Sequence, residues 1–216
     1  MIPALRSLLL CLIVCLIPGI AFVGCDRVDS PGNYRALPAP AAEMPVVNPP
    51  MALRQQNRLG GPRGDEGSCV HASLRSMMRW QNQFAKSEEM WASYSGGEYS
   101  SRLRSRLDAA GIKYAFTEAG NLSLLDFAHD TRRGALLWWK PSHCCTFCGW
   151  VQGADGKTYA VILDNNKVDQ YELTERSQFH RLWAGYGGFA LTTLGDPPAP
   201  PPYRSFARIE PEPFNF

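Results

Sequence analysis

Hydrophobic residues in the first half of the folded region recur mostly at helical spacing. The first stretch predicts a helix over about 69–84, with apolar side chains three or four positions apart on one face. Further patterns predict a helix capped at Ser87, one that begins at Ser101 and ends at Gly111, and a capped helix over 121–134. The sequence therefore predicts a mainly helical first half.

The second half of the chain changes to alternating or continuously apolar stretches, which are typical of strands. Asp155-Gly156 lies between two of these stretches and indicates a hairpin turn. A short helix is expected to begin near Thr174. The predicted strands are 112–116, 135–139, 143–151, 157–164, 168–173 and 187–193. Helices followed by a mostly antiparallel sheet predict an α+β fold.

The N-terminus has the features of an export signal. Arg6 precedes an apolar stretch over 8–23 that is interrupted by Pro18-Gly19, and this pattern favours a signal peptide over a membrane span. "FVGC" (22–25) resembles the bacterial lipobox. That resemblance implies cleavage after residue 24 and lipid attachment to Cys25, and Asp26 resembles an inner-membrane retention signal. Ordinary secretion and an uncleaved anchor are the alternatives.

Composition divides the rest of the chain into a folded domain and two flanking segments. Residues 25–51 are rich in Pro and Ala and predict an extended linker, and the Pro-rich tail 195–216 predicts disorder. The folded domain is expected to cover 52–194. We expect a monomer that is lipid-anchored in the cell envelope on the extracytoplasmic side.

Charge argues against one class of function. The 216 residues carry a formal net charge of +2, without the concentrated basic face that nucleic-acid binding requires. We therefore expect no nucleic acid among the partners of this protein.

Three residues form a candidate catalytic group. Cys69 begins the first predicted helix, where free N–H groups and the helix dipole favour a thiolate. His143 begins one strand of the predicted hairpin and Asp164 ends the other, so both should lie at its open end. Asp164 or Asn165 could then accept a hydrogen bond from the imidazole and fix its orientation.

These motifs resemble a known family. "GSCVHASL" at a helix start, "SHCCTFCGWV" on a strand and "VILDNN" on the next are similar to the papain-like cysteine peptidases, and most similar to the bacteriocin-processing type. The resemblance covers about 55–194. It implies a papain-like fold, hydrolysis of peptide or isopeptide amides, and no cofactor. It also implies Cys69 as nucleophile, His143 as general base and acid, and Asp164 as orienting residue, with Asn165 as the alternative.

One feature departs from that family. A glutamine usually lies a few residues before the nucleophile and donates to the oxyanion, whereas the sixth residue before Cys69 is Arg63. Three alternatives follow: the loop brings Gln56 or Asn57 into place, Arg63 substitutes, or the second donor is missing. In the last case activity would be weak, and the missing glutamine favours the alternative of a catalytically silent domain that binds peptides or a protein partner.

The remaining cysteines allow weaker interpretations. His143, Cys144, Cys145 and Cys148 form an H-C-C-x-x-C pattern that could hold zinc, and the last two could form a redox pair. On one strand, however, neighbouring side chains point to opposite faces, so packing in a buried strand is the expected role. His71 should point about 200° away from Cys69 on the helix, which predicts a surface or supporting position.

Overall fold

The structure is a computed structural model that describes residues 44–58, 67–93 and 96–200. The predictions for the signal peptide, Cys25, Arg63 and the tail beyond residue 200 lie outside these ranges. Among the described residues, no helix is both long enough and apolar enough to cross a membrane.

Five α-helices and six strands make up the described fold. The helices are α1 (Cys69–Trp80), α2 (Phe84–Ala92), α3 (Ser100–Ala109), α4 (Leu122–Asp130) and α5 (Arg176–Gly185). The strands are β1 (Tyr114–Thr117), β2 (Ala135–Trp138), β3 (Cys144–Gln152), β4 (Thr158–Leu163), β5 (Tyr171–Glu175) and β6 (Ala190–Thr193). They form one antiparallel sheet in the order β1-β6-β2-β3-β4-β5. The predicted α+β class is confirmed.

The sheet separates two hydrophobic layers because successive strand residues face opposite sides. Leu136 on β2 packs with residues of α1, α2 and α3, whereas Leu137 packs with residues of α4 and α5. Both faces of β2 are consequently buried, as its continuous apolar sequence predicts. Of the helices, α1 is the one that begins beside the end of β4 where the candidate site lies.

The first predicted helix is too long, because the structure divides it in two. The first helix ends at Trp80, Asn82 adopts a left-handed φ of 57°, and Phe84 already begins α2. Ser87, the predicted cap, lies inside α2 and donates its hydroxyl hydrogen to the Phe84 carbonyl. A left-handed Asn is well tolerated and sharply ends a helix.

Part of the predicted linker lies against the sheet. Val47 is 1% exposed, and its N–H donates to the Cys148 carbonyl at 3.1 Å. At the other end, the Arg133 side chain donates to the Gly195 carbonyl at 3.0 Å. Ordered packing against the sheet therefore extends a few residues beyond both limits of 52–194.

Candidate active site

A buried histidine–aspartate pair lies at the open end of the β3–β4 hairpin. His143 immediately precedes β3 and Asp164 immediately follows β4. The imidazole Nε2 is 2.8 Å from Asp164 Oδ1, and each side chain is only 6% exposed. This contact confirms the prediction that His143 and Asp164 lie together at the open end of the hairpin.

The carboxylate determines which imidazole nitrogen is basic. An ionised carboxylate only accepts hydrogen bonds, so Nε2 carries the proton and Nδ1 is left as the basic nitrogen. Burial alone would raise the pKa of Asp164. The hydrogen bond and charge of His143, the Asn166 N–H and the nearby Lys140 ammonium outweigh it and hold that pKa well below its ordinary range. Asp164 therefore stays ionised at neutral pH.

Asn165 connects this pair to the start of α1. Its Nδ2 donates to the Cys69 carbonyl at 2.9 Å and to the Cys144 carbonyl at 2.7 Å. It also lies 2.9 Å from the Ser73 hydroxyl. Asn165 thus fixes Cys69 beside the strand that His143 begins. The residue that orients the imidazole is therefore Asp164. Asn165, the alternative orienting residue, instead donates to the backbone carbonyls of Cys69 and Cys144.

Cys69 occupies the first position of α1 and is 0% exposed. The first N–H groups of a helix have no intrahelical acceptor and carry partial positive charge, a setting that lowers the pKa of a thiol. Cys69 is in a disulfide. The sulfur can attack a substrate only after that bond is reduced.

A second cysteine lies close to the pair. The sulfur of Cys145, a ring nitrogen of His143 and a carboxylate oxygen of Asp164 all lie within 4.8 Å of one another. The described residues thus contain a buried His–Cys–Asp group with the composition of a catalytic triad. Burial raises the pKa of Cys145 well above its usual value, and the Asp164 charge raises it further. Its main chain lies within the sheet opposite Leu137, which leaves Cys145 poorly placed as a nucleophile.

The same three side chains are the only possible metal-binding group among the described residues. Both oxygens of Asp164 already accept hydrogen bonds: Oδ1 from His143 and the Asn166 N–H, and Oδ2 from Lys140 at 3.1 Å. A metal cation here would lie beside the Lys140 ammonium, which it would repel. We therefore interpret the group as hydrogen-bonded rather than metal-binding.

Cys144 and Cys148 are free, fully buried thiols that pack in separate apolar clusters. Burial raises both pKa values, that of Cys148 to about 12. Packing is the role expected for them from the sequence, and their protonated state is poorly suited to metal binding or rapid redox exchange.

The segment before the candidate nucleophile returns to the site despite its intervening loop. Asn57 accepts from the Ser68 N–H at 2.8 Å, next to Cys69, and donates to Asn166 at 2.9 Å. Gln56 is exposed, and its Nε2 lies 3.3 Å from the Asn166 carbonyl. Both amides named in the sequence analysis thus lie near the site.

Sequence reasoning missed two polar residues of this site. Lys140 and Asn166 contact Asp164, and Asn166 Nδ2 also lies 3.4 Å from His143 Nε2. The polar run "DNN" directly after an apolar strand was a usable signal for Asn166. A lone lysine in a hairpin loop offers no such signal.

Comparison with known proteins gives no further assignment. No protein-family model matches the chain, and no curated protein or solved structure is significantly similar to it.

Proposed function

We propose that this protein is a papain-like cysteine hydrolase that cleaves peptide or isopeptide amides at the cell envelope. The observation that carries the proposal is the buried His143–Asp164 hydrogen bond, which leaves Nδ1 as a base at the end of the sheet where α1 begins. Cys69 is the nucleophile because its helix position favours the thiolate, whereas Cys145 is held as a thiol.

The reaction uses one sulfur, one imidazole and one water. His143 Nδ1 takes the proton of the Cys69 thiol, and the thiolate attacks the substrate carbonyl carbon. The imidazolium then gives that proton to the leaving amine as the C–N bond breaks and a thioester remains. Water, deprotonated by Nδ1, hydrolyses the thioester and restores the thiol.

The tetrahedral oxyanion requires two donors. The Cys69 N–H at the helix start supplies one. Gln56 is the best second donor, since its exposed side chain makes one long hydrogen bond, 3.3 Å to the Asn166 carbonyl, whereas the half-buried Asn57 is held at both its oxygen and its nitrogen. Arg63, the other alternative, lies outside the described residues.

The disulfide at Cys69 is compatible with a regulated or immature state. Cleavage after residue 24 and lipid attachment to Cys25 would remove or block every cysteine of the sequence outside the described residues. Export processing and reduction are therefore the events that we expect to activate the enzyme.

A second candidate function is peptide binding without cleavage. The full burial of Cys69 and its disulfide favour a silent domain of the same fold. Under that alternative the domain would bind a peptide or a protein partner, and the His143–Asp164 pair would be structural.

Labelling and turnover distinguish the two functions. Reduced full-length protein is incubated with a quenched peptide library and with a peptide bearing a thiol-reactive carbonyl group. We expect hydrolysis and labelling of Cys69, loss of both in Cys69→Ala, and at least a hundredfold slower turnover in His143→Ala. Cys148→Ala is the matched control and should keep activity. Peptide binding without turnover or labelling would instead establish the silent domain.

A further inference from the structure

An ammonium and a second carboxylate lie directly behind the His143–Asp164 pair. Lys140 Nζ is 3.1 Å from Asp164 Oδ2 and 3.0 Å from Glu172 Oε1. The Lys140 side chain is 23% exposed and that of Glu172 is 10% exposed. The ion pairs are therefore partly shielded from solvent, and their charges act strongly on the imidazole.

Lys140 lies in the loop between β2 and β3, and the backbone of this loop has an uncommon conformation. Lys140 and Ser142 have left-handed φ values of 68° and 56°, which are uncommon for residues other than glycine. The loop is closed by the Trp139 N–H, which donates to the His143 carbonyl at 2.9 Å. Such backbone strain tends to occur at functional sites, where the surrounding structure maintains it.

We propose that Lys140 and Glu172 are positioning residues for the catalytic pair: the ammonium holds Oδ2 of Asp164 so that Oδ1 faces His143, and Glu172 sets the net charge around the imidazole. The inference rests on the proposed function for its catalytic meaning. The ion-pair network of His143, Asp164, Lys140 and Glu172 can be tested without any substrate.

Charge counting gives the direction of each effect. Among the described residues, Asp164 and Cys145 lie beside His143, and Lys140 and Glu172 lie behind Asp164. Asn165 links the Cys69 backbone of α1 to the Cys144 backbone next to His143. Two carboxylates and one ammonium leave one net negative charge beside the imidazole. Burial raises the pKa of Glu172, and the Lys140 ammonium opposes that rise.

Removing the charge of Lys140 and removing the charge of Glu172 should shift the pKa of His143 in opposite directions. Lys140→Met leaves the negative charge uncompensated and should raise the pKa of His143 by about one pH unit, whereas Glu172→Gln should lower it by a similar amount. Lys140→Arg keeps the charge and should restore the wild-type value. Lys157→Met, at the turn between β3 and β4, is the matched control and should have no effect.

The experiment is an NMR titration of the His143 imidazole in the reduced full chain, with the signal assigned by its loss in His143→Gln. Opposite shifts of the His143 pKa in Lys140→Met and Glu172→Gln, with rescue by Lys140→Arg, support the ion-pair network. An unchanged or lowered pKa in Lys140→Met overturns it. If that variant does not fold, Glu172→Gln decides, because an unchanged or raised pKa there is also contrary. If the pKa shifts as expected but the protein has no hydrolytic activity, the proposed hydrolase function is refuted and the ion-pair network is still supported.

Discussion

At the scale of single residues, His71 is the clearest case of a side chain whose environment the sequence misjudged. Helical geometry placed it away from Cys69 and suggested a surface or supporting position. The surface alternative is wrong, because the side chain is buried, with Nε2 3.5 Å from Glu98 Oε2. Burial lowers the pKa of His71, and the nearby Glu98 carboxylate only partly opposes that effect.

This lowered pKa predicts acid sensitivity. An unfolded chain protonates His71 near pH 6.5, whereas the folded protein resists protonation until lower pH, so the free energy of unfolding should fall as pH drops below about 6.5. The loss is about 1.4 kcal/mol for each pH unit between the two pKa values. Urea unfolding at pH 7.5, 6.5 and 5.5 measures it. We expect His71→Gln to flatten this dependence, and a wild-type stability that rises towards pH 5.5 would contradict the account.

The candidate catalytic residues were more predictable than the residues that contact them. Cys69, His143 and Asp164 could be found because each lies at the end of a strongly patterned helix or strand, and element ends at one sheet edge lie close together. Asn165 was named only as an alternative orienting residue, and Lys140 was not named, because their roles depend on backbone carbonyls and carboxylates brought near by tertiary packing. Pattern reasoning contains no information about such contacts.

At the scale of elements, strand β3 departs from regular pairing at Gly149. Its register with β4 shifts between Phe147 and Gly149, and Gly149 has a φ of 119°. A Cβ there would lie 2.7 Å from Val46 Cγ2 and 2.9 Å from His129 Nδ1. Glycine is therefore required where α4 and residues 44–48 approach the strand.

The bulge leads to a stability prediction with a matched control. Gly149→Ala should destabilise the protein by about 2–4 kcal/mol, because both the backbone conformation and the close neighbours exclude a methyl group. Gly185→Ala should change stability by less than about 0.5 kcal/mol, since nothing lies within 4 Å of the added Cβ. Urea unfolding of both variants measures the difference, and equal stabilities would refute the packing argument.

The types of the helices and strands were predictable because their hydrophobic periods are strong. The residues at which they begin and end were less predictable. The helix pattern continued from Trp80 to Phe84 because both side chains suit an apolar face, although Asn82 breaks the backbone between them. The strand expected at 168–173 begins at Tyr171 instead, since "NNKVDQ" forms the turn that follows β4. Local turns of this kind leave little trace in hydrophobic spacing.

At the scale of the whole molecule, the candidate site depends on three elements meeting at one edge of the sheet. The start of α1 brings Cys69, the start of β3 brings His143, and the end of β4 brings Asp164. Asn165 joins these elements through two backbone carbonyls. The arrangement can activate a thiol only if all three meet in the folded, reduced protein.

The measurement that tests this most directly is the pKa of the Cys69 thiol, taken from the pH dependence of iodoacetamide alkylation in the reduced full chain, with the modified residue identified by mass spectrometry. The account predicts a Cys69 pKa at least two pH units below the ordinary value of about 8.5, and a return towards that value in His143→Ala. Cys144, Cys145 and Cys148 should react much more slowly near neutral pH, because burial raises the pKa of each of these thiols. A Cys69 pKa at or above 8.5, unaffected by His143→Ala, would contradict the proposed catalytic pair.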